Sequence, residues 1–210
     1  MQLRRADVVT GALTLLDAGG LDGLTMRKLA AQLGVQAGAL YWHFPSKQAL
    51  LTAMADRMIS DLATSLTARL CSGDWEAQAN ALAHGLRAAL LAHRDGARVM
   101  AGTYVTEPNT TKVGGAALAM LTEVGFTPAT AMWVAAALMN YVLGHTIEEQ
   151  ALAEHDPAEL AAKRSQVSAD PAMRVAFDEL TAGNQDERFA FGLSLFLDGV
   201  RHRAVSGSGG

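Results

Sequence analysis

Thr25-Met-Arg-Lys-Leu-Ala-Ala-Gln-Leu-Gly-Val-Gln-Ala-Gly-Ala-Leu-Tyr-Trp-His-Phe-Pro-Ser-Lys47 is the stretch whose reading decides the fold. Leu29, Ala30 and Leu33 precede Gly34, and Val35 and Leu40 follow it, so two short apolar stripes with helical spacing flank a tight turn. Glycine suits that turn because it adopts left-handed backbone angles without a steric cost. Thr25 has the chemistry of an N-cap for the first helix, and Pro45-Ser46 breaks the second, which spans Ala37 to His43. Ala30 and Ala39 are small enough to let the helices cross closely. The pattern predicts a helix-turn-helix, a device that places its second helix in the major groove of DNA.

The outward face of that second helix carries Gln36, Ala37, Gly38, Tyr41 and His43. Small residues there let the backbone approach base edges or a thymine methyl. Arg27 can reach a guanine edge or a phosphate, Lys47 sits where a phosphate contact is expected, and Tyr41 and His43 suit phosphate hydrogen bonds. Thr25, Arg27, Gln36, Ala37, Gly38, Tyr41, His43 and Lys47 are therefore the candidate DNA-contacting set. Trp42 and Phe44 read as core aromatics.

Working outward, the apolar positions Val8, Val9, Ala12, Leu15 and Leu16 predict a helix from Arg5 to Ala18, ended by Gly19-Gly20. Ser46 caps a long helix reaching Leu70, and Cys71-Ser-Gly-Asp74 is a linker. Helices over Trp75–Ala92, Thr111–Val124, Pro128–Gln150, Ala172–Ala182 and Asp186–Arg203 follow. A short segment spans Asp95 to Thr103, residues 104–109 form a loop, and the charged stretch 154–172 reads as a connection with at most one helical turn. Strand alternation and internal repeats are absent from the pattern, so the fold class is all-α. The expected domains are residues 1–48 for DNA binding and 49–204 for ligand binding and dimerisation, with 205–210 a flexible tail.

Composition supports this. Of 210 residues half are hydrophobic and aromatics are few, which favours helices because unbranched side chains lose little rotamer freedom there. The net charge of −4 divides unevenly. Five basic against three acidic groups give residues 1–48 a charge of +2, and 12 against 18 give the rest −6. Screening acts within about 8–10 Å, so the basic head keeps its own attraction for phosphate. A single cysteine, Cys71, forms no intrachain disulfide and reads as a small core residue. The apolar run Met132–Gly144 is short for a membrane span and contains Asn140, and the N-terminus reads as amphipathic helix rather than secretory signal. A cytoplasmic location is expected.

An enzyme is disfavoured: the chain offers no phosphate-cradling glycine loop, no nucleophile elbow and no plausible triad around Cys71. His145, Glu148 and Glu149 have one-turn spacing that suits a metal, but with no fourth group in reach they read as a satisfied surface pair. No metal or cofactor is expected.

The run Leu24-Thr-Met-Arg-Lys-Leu-Ala-Ala-Gln-Leu-Gly-Val, continued by Leu40-Tyr-Trp-His-Phe-Pro-Ser-Lys-Gln-Ala-Leu-Leu51, closely resembles the DNA-binding domain of tetracycline-repressor (TetR) family regulators. Arg87–Thr103, Leu121–Phe126 and Leu143–Gln150 resemble the ligand-binding domain of the tetracycline repressors themselves. The resemblance implies a homodimeric helical repressor whose ligand changes the separation of two recognition helices. The helices at 128–150 and 186–203 are its expected dimer faces.

Departures from the family bound the ligand and the operator. Met100 stands where a histidine ligates drug-bound magnesium, Leu82 replaces a drug-holding asparagine, Leu86 a phenylalanine and Ala116 a glutamine, while Glu148 matches an acidic residue of the magnesium water shell. A thioether is a poor ligand for a hard cation, so a magnesium–tetracycline chelate is not expected. Leu82, Leu86, Met100, Val113, Ala116, Met132 and Trp133, with Thr103, Tyr104, Asn140 and His145 as polar points, are the expected lining of a pocket for an apolar or amphipathic small molecule. Ala37-Gly38-Ala39 replaces the family's Gln-Pro-Thr, so the double-stranded operator is expected to be a near-palindrome of a different sequence. The competing reading is a DNA-binding activator or architectural protein whose second domain only dimerises.

Overall fold

A computed structural model describes residues 3–69, 74–103, 106–166 and 170–207. The expectations at Cys71 and Tyr104 and for the last three residues lie outside these. The described residues form twelve helices and no strand.

Three helices build the head: α1 (Arg5–Gly23), α2 (Met26–Gln32) and α3 (Ala37–His43). α1 carries a kink at Gly20, whose φ of 67° is non-helical, so the glycine pair ends the regular helix as its chemistry suggests. Thr25 caps α2 by accepting the Lys28 N–H at 3.2 Å, and Gly34 turns the chain at φ 66°. Leu29, Ala30, Leu40 and Phe44 are buried against Val8, Ala12 and Leu16 of α1, with Leu33 and Val35 half-buried at the edge. Arg5 locks the unit: its guanidinium donates to the His43 carbonyl at 3.0 Å and lies 4.2 Å from the Phe44 ring centroid.

Ser46 caps the next helix by accepting the Ala49 N–H at 3.1 Å. The single long helix expected to reach Leu70 is two, α4 (Lys47–Met58) and α5 (Ser60–Arg69), divided at Ile59. Ile59 is 1% exposed, so the break lets its side chain stay in the core while the axis changes direction. α4 starts at Lys47, so the expected boundary at residue 48 falls inside its first turn. The body continues with α6 (Trp75–Leu91), α7 (Gly96–Ala101), α8 (Pro108–Glu123) and α9 (Pro128–Ala153). α8 starts three residues earlier than expected because Pro108 fits the first helical turn.

Within the stretch 154–172, where at most one helical turn is expected, lies all of α10 (Pro157–Gln166). α10 pairs with α11 (Pro171–Thr181) through the Arg164–Asp178 salt bridge, and neither buries a residue in this chain. α12 (Gln185–Gly207) closes the body, burying Phe189, Leu193, Leu197 and Val200.

Head and body meet at the turn between α6 and α7. Asp95 takes a left-handed conformation, φ 55°, and its carboxylate accepts the Leu21 N–H at 2.7 Å and Arg98 Nη1 at 3.0 Å. Asp17 accepts the Arg94 N–H at 3.1 Å. Gly96 is required beside it, since a Cβ there would lie 2.3 Å from the Leu90 carbonyl oxygen. Burial pushes the Asp95 carboxyl up, but the Leu21 N–H and the guanidiniums of Arg98 and Arg94 outweigh it and leave the group below its ordinary value.

A depressed folded value means stability that is full above the ordinary carboxylate range and lost as pH falls through the folded value. Asp95→Asn keeps an acceptor for Leu21 but removes the charge. It should lower Tm at pH 7 by about 2–4 °C, equivalent to roughly 1 kcal/mol in a chain of this size. Thermal denaturation at pH 7 and near pH 3 should show the gap closing in acid; an equal gap at both would remove the ionic contribution.

Candidate nucleic-acid interface and ligand core

Helix α3 and the first turn of α2 present one continuous surface. Thr25, Arg27, Gln36, Ala37 and Gly38 are exposed, Tyr41 is 50% exposed, and His43 and Lys47 are half-buried. All eight expected DNA contacts therefore belong to one accessible segment. The Lys47 ammonium lies 3.5 Å from the Leu21 carbonyl, which holds its stem toward the end of α1.

Trp42 corrects the sequence reading. It is 92% exposed, whereas Phe44 is fully buried. Successive helical residues are about 100° apart, so with Leu40 and Phe44 inward at i, i+4, Trp42 falls on the opposite side. The aromatic run thus splits into one core residue and an outward indole beside Tyr41. The periodicity was available in the sequence; the pull of a large apolar side chain toward the interior obscured it.

In the body, five of the expected ligand residues are buried. Leu82 and Leu86 of α6, Met100 of α7, and Val113 and Ala116 of α8 are all buried in one apolar core. Thr103 borders them, its hydroxyl donating to the Met100 carbonyl at 2.8 Å and lying 3.9 Å from the Met100 sulfur. The remaining members separate. Met132 and Trp133 are 54% and 74% exposed, and Asn140 is exposed, so this chain alone does not bring them to that core. Ala131, Leu138 and Val142 take the inward face of α9 instead.

His145 is half-buried on α9, in a polar knot under α6 and α12. Its ring lies 5.1 Å from Phe189 and 6.1 Å from Tyr141. Arg87, 6% exposed, donates to both Glu149 oxygens at 2.7 and 2.8 Å and to Asp186 at 2.6 Å. His145 Nε2 is 4.0 Å from Glu149 and has no hydrogen-bond partner, so this is not the satisfied surface pair expected. Burial holds its imidazole below the ordinary histidine pKa, against the opposing pull of Glu149. Glu149 is engaged by Arg87 and Glu148 is exposed, so the three groups do not converge on a common point. Among the described residues no group of three or more His, Cys, Asp or Glu side chains is arranged to hold a metal ion.

Sequence reasoning missed the residues that orient these surfaces. Arg5, Asp56, Arg87, Asp95 and Gln150 each bond to partners 38 or more positions away. Gln150 is typical: its amide donates to the Leu90 and His93 carbonyls and accepts the Ala97 N–H, binding α9 to the α6–α7 turn. Polar side chains within apolar helical stripes were the one available signal.

Comparison with known proteins matches this geometry. Residues 8–54 fit the family model for bacterial regulatory proteins of the tetR family, and residues 69–204 fit that for the tetracyclin repressor-like C-terminal domain. The chain is 38% identical over 204 residues to the class A tetracycline repressor protein from transposon 1721 of Escherichia coli, covering 97% of this chain and 93% of that one. A solved structure of a possible TetR family regulator from Streptomyces coelicolor A3(2) superposes with a TM-score of 0.85 at 43% identity, covering 95% and 99% of the two chains. BioQ solved with its double-stranded DNA operator gives a TM-score of 0.69 at 32% identity, covering 95% and 99%. No helix among the described residues is long and apolar enough to cross a membrane. The chain belongs to the tetR family of bacterial transcription regulators, DNA-binding proteins rather than enzymes.

Proposed function

We propose that this chain is a ligand-responsive repressor that binds a near-palindromic operator as a homodimer and is released by an apolar or amphipathic small molecule. The observation that carries the reading is the exposed face of α3, small at Ala37 and Gly38 and flanked by Arg27, Tyr41, Trp42, His43 and Lys47, on a head whose apolar core continues into that of the body. BioQ, similar along nearly its whole length, has been solved on its operator, which supports DNA as the partner. In this reading Arg27 reads a base edge, and Tyr41, His43 and Lys47 position the head on phosphates.

The ligand is read from the core. Leu82, Leu86, Met100, Val113 and Ala116 supply apolar walls, with Thr103 at the edge. Carbon and thioether surfaces there favour a ligand that gains by leaving water, and disfavour a hard cation that demands oxygen or imidazole. Despite the likeness to a tetracycline repressor, a magnesium–tetracycline chelate would find no imidazole at Met100.

Dimerisation is assigned to α9 and α12. Met132 and Trp133 on α9, and Phe191 and Leu195 on α12, are each more than half exposed. Large apolar side chains concentrated on two neighbouring helices are the signature of an interface. A second copy related by two-fold symmetry would present the same surface in return.

Four outcomes are expected. In duplexes selected from a random pool, Arg27→Ala should relax preference at one position per half-site, at about 1–3 kcal/mol. Lys47→Ala should weaken all duplexes alike and flatten the salt dependence; if neither substitution changes affinity, the DNA face is misassigned. Titrating tetracycline with magnesium should leave Trp fluorescence and duplex binding unchanged at micromolar drug, and magnesium-dependent release would refute the ligand class. Leu195→Glu should shift the light-scattering mass from two chains to one, and an unchanged dimer would place the interface elsewhere.

A further inference from the structure

We propose that Asp56 is the positioning residue that fastens α4, the helix that follows the DNA-reading head, to α8 of the ligand core, and that DNA binding tightens this fastening. The inference rests on the DNA-binding reading above. α8 begins at Pro108, and the side chain of its N-cap residue, Glu107, caps nothing. The N–H groups of its first turn therefore need an acceptor from another element. Asp56 of α4 supplies it: Oδ1 accepts the Asn109 N–H at 2.8 Å and the Thr110 N–H at 2.9 Å. Oδ2 accepts the Asn109 side-chain amide at 2.8 Å, and the Asp56 carbonyl accepts the same amide at 3.3 Å. A carboxylate at the positive end of a 16-residue helix is electrostatically favoured as well as hydrogen-bonded.

The cap is half of a two-point attachment. Near the other end of α4, Gln48 donates to the Gly102 carbonyl at the close of α7. The connection from α7 to α8, which includes Thr103 at the edge of the apolar core, is thus held to α4 at both ends. Toward the DNA, α4 follows α3 through the Ser46 cap, and Arg5 clamps the last carbonyl of α3 to α1. Any shift of the first turn of α8 relative to α4 must break the bonds to Asp56.

Engaging two half-sites at once demands one pose of each recognition helix. A head freed at Asp56 would have to be ordered on binding, at a cost in affinity. Coupling of this kind is reciprocal, so DNA must protect the cap by the same factor.

Hydrogen exchange at the Asn109 and Thr110 amides of the full chain tests this, with and without a duplex selected against the unsubstituted protein. Neither amide belongs to the proposed DNA face. Duplex binding should slow both about fivefold or more. Asp56→Ala should abolish the slowing and weaken duplex binding by a similar factor, with the α12 amides unaltered. Asp56→Asn should retain most of both, because asparagine caps helices about as well as aspartate. Equal slowing in the unsubstituted protein and Asp56→Ala, or no slowing in a duplex-bound protein, overturns the proposal. If Asp56→Ala loses the α12 protection that marks the folded state, the unsubstituted protein and Asp56→Asn decide. A chain that selects no duplex overturns the DNA reading, and this role falls with it.

Discussion

The Asp95 carboxylate accepts the Leu21 N–H at 2.7 Å across 74 positions of sequence, and the rest of the molecule is arranged around that joint. The α6–α7 turn reaches α1 only because Asp95 adopts a left-handed backbone and Gly96 lets the chain pass the Leu90 carbonyl. From the body side, Gln150 of α9 satisfies the carbonyls of Leu90 and His93 and the N–H of Ala97, groups that helix ends would otherwise leave open. Head and body thus grip one short turn from opposite sides. Head and body share one apolar core, and the directional bonds add what apolar contact alone lacks, a fixed angle where packing would permit sliding.

The lower body is organised by a different constraint, the buried guanidinium of Arg87. Two carboxylate oxygens of Glu149 and one of Asp186 surround it, and its charge lies 5.0 Å from the Phe189 ring centroid. Removing one partner from a buried pair costs about 3–5 kcal/mol, because the other charge is left uncompensated. That cost applies to the Arg87–Glu149 pair and ties α6 to α9, whereas Asp186 of α12 is exposed and its pairing is screened by water. Tyr141 of α9 donates to the Phe189 carbonyl of α12 at 2.7 Å, an approach possible because Gly192 has no side chain. The outward faces of α9 and α12 are left with Trp133 and Phe191, whose apolar area finds no cover in one chain.

Much of this was legible in local patterns. Thr25, Ser46, Asp74 and Thr127 each accept a backbone N–H two or three residues on, as short polar caps do, and Gly34 has the positive φ its turn requires. Differences arise where local chemistry is ambiguous. The hydrophobicity of Trp42 suggests core, but its helical phase opposes that of Leu40 and Phe44 and it is exposed. Met132 and Trp133, expected with the ligand residues, are exposed in one chain, where Ala131, Leu138 and Val142 carry the buried stripe of α9. The charged composition of residues 157–166 hid a helix whose stabilising partner, Asp178 on α11, lies beyond the next connection.

By itself the sequence determined the all-α class, the head with its turn at Gly34, and the residues offered to DNA, because caps, turns and helical stripes are properties of neighbouring residues. Only the tertiary structure decided which apolar residues face inward together, how Asp95 joins head to body and Asp56 joins α4 to α8, and that a buried nitrogen of the half-buried His145 is left without a partner. Those outcomes depend on bonds between residues tens of positions apart, whose geometry exists only once the helices have packed.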